Sequence, residues 1–203
     1  MNKASPASHS FLRSRVLLLG LILVLAGPLL AAMFVYYFRD QLPLPESNTY
    51  GDLILPIHPY HRFELVNLNG KPLGIGFLRD KWTLVYVGGS DCDLWCEASL
   101  FKMRQVRLTL GADQERVQRL YVLTDTRTLD ALRPLLRRYP GMTVATPRES
   151  DRRALLAPFG DHPSGTFFLV DPNANLMMRY SPDTTSKGLK EDLTHLLEAS
   201  GIG

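Results

Sequence analysis

Cysteine is scarce in this chain of 203 residues: there are only two, Cys92 and Cys96, four positions apart. A framework of disulfides joining distant segments is therefore excluded. A disulfide between these two would close a very small loop, and chain-entropy stabilisation shrinks with the size of the loop. The pair is better suited to redox exchange or to binding a soft metal than to holding a fold together.

An excess of charge of one sign is also missing from most of the chain. Of the 23 basic and 20 acidic residues, four basic and one acidic lie in the first 40 positions, which leaves 19 of each in residues 41–203. A neutral region of this length does not favour a nucleic acid as partner.

Long apolar runs are absent except for one, from Val16 to Phe38, which has 23 residues and no charged side chain. At the rise of an α-helix this run is roughly 35 Å long, enough to cross a hydrocarbon core of about 30 Å. A cleaved signal peptide is the alternative, but its apolar core is usually only about 7–15 residues long. The run therefore predicts an uncleaved transmembrane anchor over residues 16–38.

Basic residues on one side of this run indicate its orientation. Lys3, Arg13 and Arg15 precede it, which predicts that residues 1–15 are cytoplasmic and that the rest is exported to the periplasm from a single-pass anchor in the inner (plasma) membrane. Residues 39–59 are rich in proline and predict a semi-rigid linker. The remaining residues, 60–203, have the length of one folded domain.

Strand and helix patterns alternate along residues 60–203. Asn69-Gly70 predicts the turn of a β-hairpin, and short apolar runs predict buried strands at 82–87 and 120–123. We expect helices at about 98–110, 128–138 and 148–158, a second hairpin over 166–180, and a last helix from Ser186 to Ala199. This order predicts an α/β fold with a central mixed sheet flanked by helices. A cysteine pair after the first buried strand is typical of the thioredoxin-like arrangement.

The spacing of the cysteines is compatible with two kinds of chemistry. If a helix begins near Cys92, the two Cα atoms lie about 6 Å apart, within reach of a disulfide. A helix N-terminus also stabilises a nucleophilic thiolate. Alternatively, two thiolates and an imidazole make a site for Cu(I). Both alternatives remain open.

An imidazole ligand would have to come from one of five histidines. His162 is the best candidate, because it precedes a predicted strand in a loop that can face the cysteines, although such a histidine often only bonds backbone. The others fit less well: His9 precedes the anchor, His195 lies on the last helix, and His58 and His61 fall in or beside the linker.

Several short motifs together resemble one family. The first runs through Tyr86, Gly88, Ser90, Cys92, Cys96 and Leu100; Asp161-His162, Phe168–Pro172 and Tyr180-Ser181-Pro182 follow it. This set is similar to the SCO/SenC family, membrane-anchored thioredoxin-fold proteins of cytochrome c oxidase assembly. Asp93 and Glu97 stand where family members usually carry prolines. Pro163 could alternatively be the cis-proline that thioredoxin folds place against their cysteines.

The resemblance implies a site and a partner. By it, Cys92, Cys96 and His162 bind copper and help deliver it to the copper-centre subunit of the oxidase, or the cysteines reduce those of that centre. Two other functions stay open: a general thiol–disulfide oxidoreductase, with Cys92 as nucleophile and Cys96 as resolving thiol, and a non-catalytic membrane-tethered scaffold. We favour oxidase assembly.

Overall fold

The computed structural model describes residues 8–38 and 49–201, which belong to two compact units that divide between residues 48 and 49. The first unit contains one helix, α1 (Ser8–Phe38). Among the described residues, no helix is both long enough and apolar enough to cross a membrane. The first seven residues of the predicted cytoplasmic segment and residues 39–48 of the predicted linker lie outside the described ranges.

The second unit is built on one mixed sheet of eight strands in the order β1-β8-β7-β4-β5-β6-β2-β3. The strands are β1 (Asp52–Pro59), β2 (Leu65–Asn67), β3 (Pro72–Leu73), β4 (Trp82–Gly88), β5 (Val117–Leu123), β6 (Met142–Pro147), β7 (Phe167–Val170) and β8 (Asn175–Tyr180). The helices are α2 (Leu94–Thr109), α3 (Leu129–Leu136), α4 (Arg152–Leu156) and α5 (Ser186–Ala199). Short 3₁₀ turns cover Ile75–Phe77, Gly111–Arg116 and Ala157–Phe159.

Strand β4 lies at the centre of the sheet and is buried over most of its length. It pairs in parallel with β5 and antiparallel with β7, which makes the sheet mixed. Because successive side chains of a strand point to opposite faces, Tyr86 packs with α2 and α5 on one face while Val85 packs on the other. The predicted α/β fold with helices around a central mixed sheet is confirmed.

The boundary predicted for the linker is wrong at its second half. Residues 52–59 form β1, which pairs antiparallel with β8, so the folded domain begins near Thr49 rather than near residue 60. His58 therefore lies in a strand. Prolines suggested a linker here, but β1 is an edge strand, and an edge position has no ladder hydrogen bond to lose on its outer side. The pairing also shifts between Leu53 and His58, where Pro56 is accommodated.

Both predicted hairpins are confirmed, as β2–β3 and as β7–β8. The strand β6 was not predicted, because its sequence Met-Thr-Val-Ala-Thr-Pro is short, contains two threonines and ends in proline. Helix α2 begins at Leu94, four residues before the predicted start. Helix α5 has the predicted bounds, and Thr185 caps it, since its hydroxyl accepts a hydrogen bond from the Gly188 amide at 3.1 Å.

Candidate redox site

The two cysteines form a disulfide where the chain passes from β4 to α2. Their Cα atoms are 5.3 Å apart, close to the separation expected from the i, i+4 spacing. Cys92 is half-buried, whereas the Cys96 residue is only 1% exposed. A thiol approaching from solvent therefore meets the sulfur of Cys92 first.

Asp93 starts the helix that carries the pair. Its Oδ1 accepts hydrogen bonds from the Cys96 amide at 2.8 Å and from the Ser164 hydroxyl at 2.7 Å. Both bonds lower the pKa of the Asp93 carboxyl, and the bond from the Cys96 amide has the larger effect. Asp93 thus acts as the N-cap of α2, a role that a proline cannot fill with its side chain. It also ties the cysteine turn to the loop that contains His162.

A tyrosine lies against the buried sulfur. The Tyr121 hydroxyl is 3.6 Å from Cys96 Sγ and donates a hydrogen bond to the Gly89 carbonyl at 2.6 Å. The ring of Tyr86 meets the ring of Tyr121 edge to face, with centroids 5.0 Å apart. Burial raises the pKa of Tyr121, so its hydroxyl remains protonated. Sequence reasoning missed this residue; the signal was a tyrosine inside a buried strand, since a buried phenol needs a hydrogen-bond partner.

Ser90 and Asp125 connect the end of β4 to the loop after β5. The Ser90 hydroxyl donates to Asp125 Oδ1 at 2.7 Å and accepts from the Thr128 amide at 2.9 Å, while the Arg127 amide donates to Asp125 Oδ1 at 3.1 Å. These contacts lower the pKa of Asp125 to about 2, and the bond from the Ser90 hydroxyl has the largest effect. The loop beneath the cysteines is therefore held by a side-chain network.

His162 lines the same cavity as Cys92 and Cys96, a space of about 270 Å³. Its ring meets Phe168 edge to face at 5.2 Å, and burial lowers its pKa. The one cis peptide bond among the described residues is Leu55–Pro56, so His162–Pro163 is trans and the cis-proline alternative is wrong.

The other histidines of the domain lie away from the cysteines. His58 and His61 line a different cavity of about 540 Å³, and His195 is exposed on α5. The backbone of His9 belongs to α1. Of the histidines weighed from the sequence, His162 is thus the one that the structure brings to the cysteines.

A copper ion needs thiolates that the disulfide does not supply. Over residues 8–38 and 49–201, no group of three or more His, Cys, Asp or Glu side chains is arranged to hold a metal. Reduction by two electrons would give two thiolates beside the His162 imidazole, a donor set that suits Cu(I). The oxidised pair offers no thiolate to a copper ion.

A disulfide at the junction of a central strand and its helix, in a mixed sheet with helices on its faces, defines a thioredoxin-like protein. The chain belongs to the family described as the transmembrane-like, thioredoxin-like, C-terminal domain, whose model matches residues 82–200. No curated protein matches the chain.

Solved structures with the same fold include Sco proteins. Apo Sco1 from Thermus thermophilus is 24% identical, with a TM-score of 0.60 over 73% of this chain and 97% of that one. Yeast Sco1 with copper bound is 18% identical, with a TM-score of 0.60 over 70% of this chain and 90% of that one. The thioredoxin domain of a thiol-disulfide oxidoreductase from Bacteroides vulgatus is 14% identical, with a TM-score of 0.53 over 67% of this chain and 93% of that one. The resemblance to the SCO/SenC family is confirmed at the level of the fold.

Proposed function

We propose that this protein assists cytochrome c oxidase assembly by exchanging its Cys92–Cys96 disulfide with cysteines of the copper-centre subunit. The observation that carries the proposal is the pair itself, a half-buried cysteine joined to a buried one on a fold shared with Sco1. Because Cys92 is the less buried of the two, its sulfur attacks the client when the pair is reduced and is the one attacked when the pair is oxidised. Burial of Cys96 gives it the role of the resolving thiol.

The exchange follows ordinary thiol–disulfide chemistry. In the reduced protein the Cys92 thiolate attacks a client disulfide and forms a mixed disulfide, and the client's second sulfur leaves as a thiolate. The Cys96 thiolate then attacks Cys92, which releases the reduced client and restores the disulfide. Two electrons and two protons pass to the client, and a dithiol protein of the exported compartment must return them.

We place this activity on the periplasmic side of the inner membrane. The support is the sequence: the charge-free run of residues 16–38 and the basic residues before it. A protease added outside sealed spheroplasts is expected to digest residues 49–203. The N-terminal segment should remain in the membrane fraction. Full protection of the domain would place it in the cytoplasm and overturn the assignment.

Trapping tests the exchange. In the Cys96→Ser variant the resolving thiol is missing, so a mixed disulfide between Cys92 and the client should accumulate and disappear with dithiothreitol. The Cys92→Ser variant is the matched control and should trap far less. If the Cys92→Ser/Cys96→Ser double variant supports full oxidase assembly in cells, the scaffold function replaces the exchange.

Transport of Cu(I) is the second candidate, favoured by the cavity that Cys92, Cys96 and His162 share. Copper would be cargo, held by two thiolates and an imidazole after reduction of the pair. Anaerobic titration of the reduced full-length protein should show one Cu(I) per chain, lost in Cys92→Ala and weakened at least tenfold in His162→Ala. His195→Ala, on the exposed side of α5, is the control. Equal affinity of His162→Ala and the unaltered protein would rule out the three-ligand site.

A further inference from the structure

The environment of the buried sulfur differs sharply from that of the accessible one. Cys96 lies against Tyr121, a residue of β5 that is 0% exposed and 25 positions away in sequence. The hydroxyl of Tyr121 lies within 3.6 Å of Cys96 Sγ and 2.6 Å of the Gly89 carbonyl oxygen. A single phenolic proton therefore has two acceptors within reach.

The redox state of Cys96 decides which acceptor is the stronger. A disulfide sulfur is a weak acceptor, so in the oxidised protein the proton is directed to the Gly89 carbonyl. A thiolate carries a full negative charge, and hydrogen bonds to charged acceptors are about twice as strong as neutral ones. When the disulfide opens, the sulfur of Cys96 becomes the better acceptor.

We infer that the Tyr121 hydroxyl is the hydrogen-bond donor that stabilises Cys96 as the leaving group when the disulfide is reduced. This inference rests on the proposed exchange function and assigns a residue to it. The thiolate of a dithiol protein attacks Cys92 Sγ and forms a new S–S bond. The Cys92–Cys96 bond breaks, and Cys96 leaves with the electron pair as a thiolate.

Tyr121 acts while the Cys92–Cys96 bond breaks and again after it has broken. Its O–H turns from Gly89 to the Cys96 thiolate while the negative charge develops. The thiolate then takes a proton delivered with the attacking dithiol, and the resulting S–H donates to the Tyr121 oxygen, whose own proton returns to Gly89. The second thiolate of the partner then attacks the partner sulfur that is bonded to Cys92, and Cys92 is released. The protein gains two electrons and two protons, and the partner becomes a disulfide.

The neighbouring side chains hold the hydroxyl in place. The ring of Tyr121 is fixed by the ring of Tyr86 on the same face of the sheet, and both belong to one apolar cluster. Burial raises the pKa of Tyr121, so the hydroxyl keeps its proton throughout the working range of pH. Because the ring is held in place, only the O–H bond has to rotate when the disulfide breaks, so the donor beside the buried sulfur needs little reorganisation.

The test is the rate at which dithiothreitol reduces the disulfide of the full-length protein at fixed pH. Loss of one hydrogen bond to a charged group is expected to slow Tyr121→Phe at least tenfold. Tyr180→Phe is the matched control, because Tyr180 is equally buried and its hydroxyl contacts Met178 Sδ rather than the disulfide. Its rate should equal that of the unaltered protein, and circular dichroism should show all three proteins folded.

A second substitution separates the donor role from packing. Replacement of Tyr121 by 3-fluorotyrosine keeps the size of the ring and makes the hydroxyl a stronger donor, so reduction should become faster. Equal rates for the unaltered protein, Tyr121→Phe and the fluorinated form overturn the inference while leaving the exchange function standing. If dithiothreitol cannot reduce even the unaltered protein, the proposed exchange function itself fails.

Discussion

Individual carboxylates around the cysteines are bound by hydrogen bonds rather than left to solvent. Asp125 is held by the Ser90 hydroxyl and the Arg127 amide, which stabilise its charged form. These hydrogen bonds link the loop after β4 to the loop after β5. The charge of Asp125 therefore contributes to stability, and its contribution depends on pH.

Acid should remove the contribution of Asp125. Because its folded pKa is about 2, below the value near 3.9 of an unfolded aspartate, the stabilisation is complete above about pH 4 and is lost as the pH falls through 2. Urea unfolding of the unaltered protein and of Asp125→Asn should differ at pH 7 and converge toward pH 2. Asp130→Asn, on an exposed residue of α3, should show no such trend. A difference independent of pH would mean that the charge of Asp125 plays no part.

At the scale of an element, the first turn of α2 combines a reactive disulfide with exposed apolar side chains. Leu94 is 84% exposed and Trp95 is 55% exposed, and both lie between Cys92 and Cys96 in the sequence. The Cβ atom of Trp95 lies close to Gly165, so the base of the side chain is packed while much of the indole remains accessible. An exposed tryptophan beside a reactive pair suits contact with a protein partner.

Truncation of Trp95 should distinguish protein partners from small thiols. Trp95→Ala is expected to slow exchange with a protein dithiol about tenfold, since a central aromatic contact contributes at least about 1 kcal/mol, and to leave reduction by dithiothreitol unchanged. Phe101→Ala is the control, because Phe101 is exposed to a similar degree further along α2. Slower reduction by dithiothreitol in Trp95→Ala would show instead that the tryptophan shapes the disulfide itself.

At the scale of the whole molecule, the point where the chain enters the domain is fastened to its last helix. The carboxylate of Asp192, which is 3% exposed, accepts hydrogen bonds from the Tyr50 amide at 3.0 Å and the Gly51 amide at 2.9 Å. The ring of Tyr50 packs against Gly188, where a Cβ atom would collide with it. These contacts of Asp192 and Gly188 with Tyr50 and Gly51, here called the clasp, position β1 beside β8.

Removal of the clasp should destabilise the domain. Asp192→Ala leaves the buried Gly51 amide and the partly buried Tyr50 amide without their acceptor, and an unsatisfied buried group costs about 1–3 kcal/mol. We expect a loss of about 2–4 kcal/mol in the free energy of urea unfolding, together with faster amide exchange in β1. Glu198→Ala, on an exposed position of the same helix, should leave both unchanged. Intact protection of β1 in Asp192→Ala would show that strand pairing alone holds it.

Local signals in the sequence were enough for much of this protein. The apolar run of β4, the Asn69-Gly70 turn and the spacing of Cys92 and Cys96 all depend on residues close together in the chain. The strand, the hairpin and the reach of a disulfide predicted from them are confirmed. Strand β1 was missed because its place in the sheet comes from β8, more than a hundred residues later.

Contacts between residues far apart in the sequence could be identified only from the folded structure. His162 lies 66 positions after Cys96, and the residue types alone left open whether they meet; the turn after β4 and the loop before β7 bring both to one cavity. A tyrosine inside a buried strand indicated that Tyr121 needs a hydrogen-bond partner, but only the parallel pairing of β5 with β4 places its hydroxyl against Cys96. Neighbours in sequence set strands, turns and the disulfide spacing, because backbone geometry acts locally. The surroundings of the two sulfurs arise from packing, because only sheet pairing brings such distant side chains within a few ångströms.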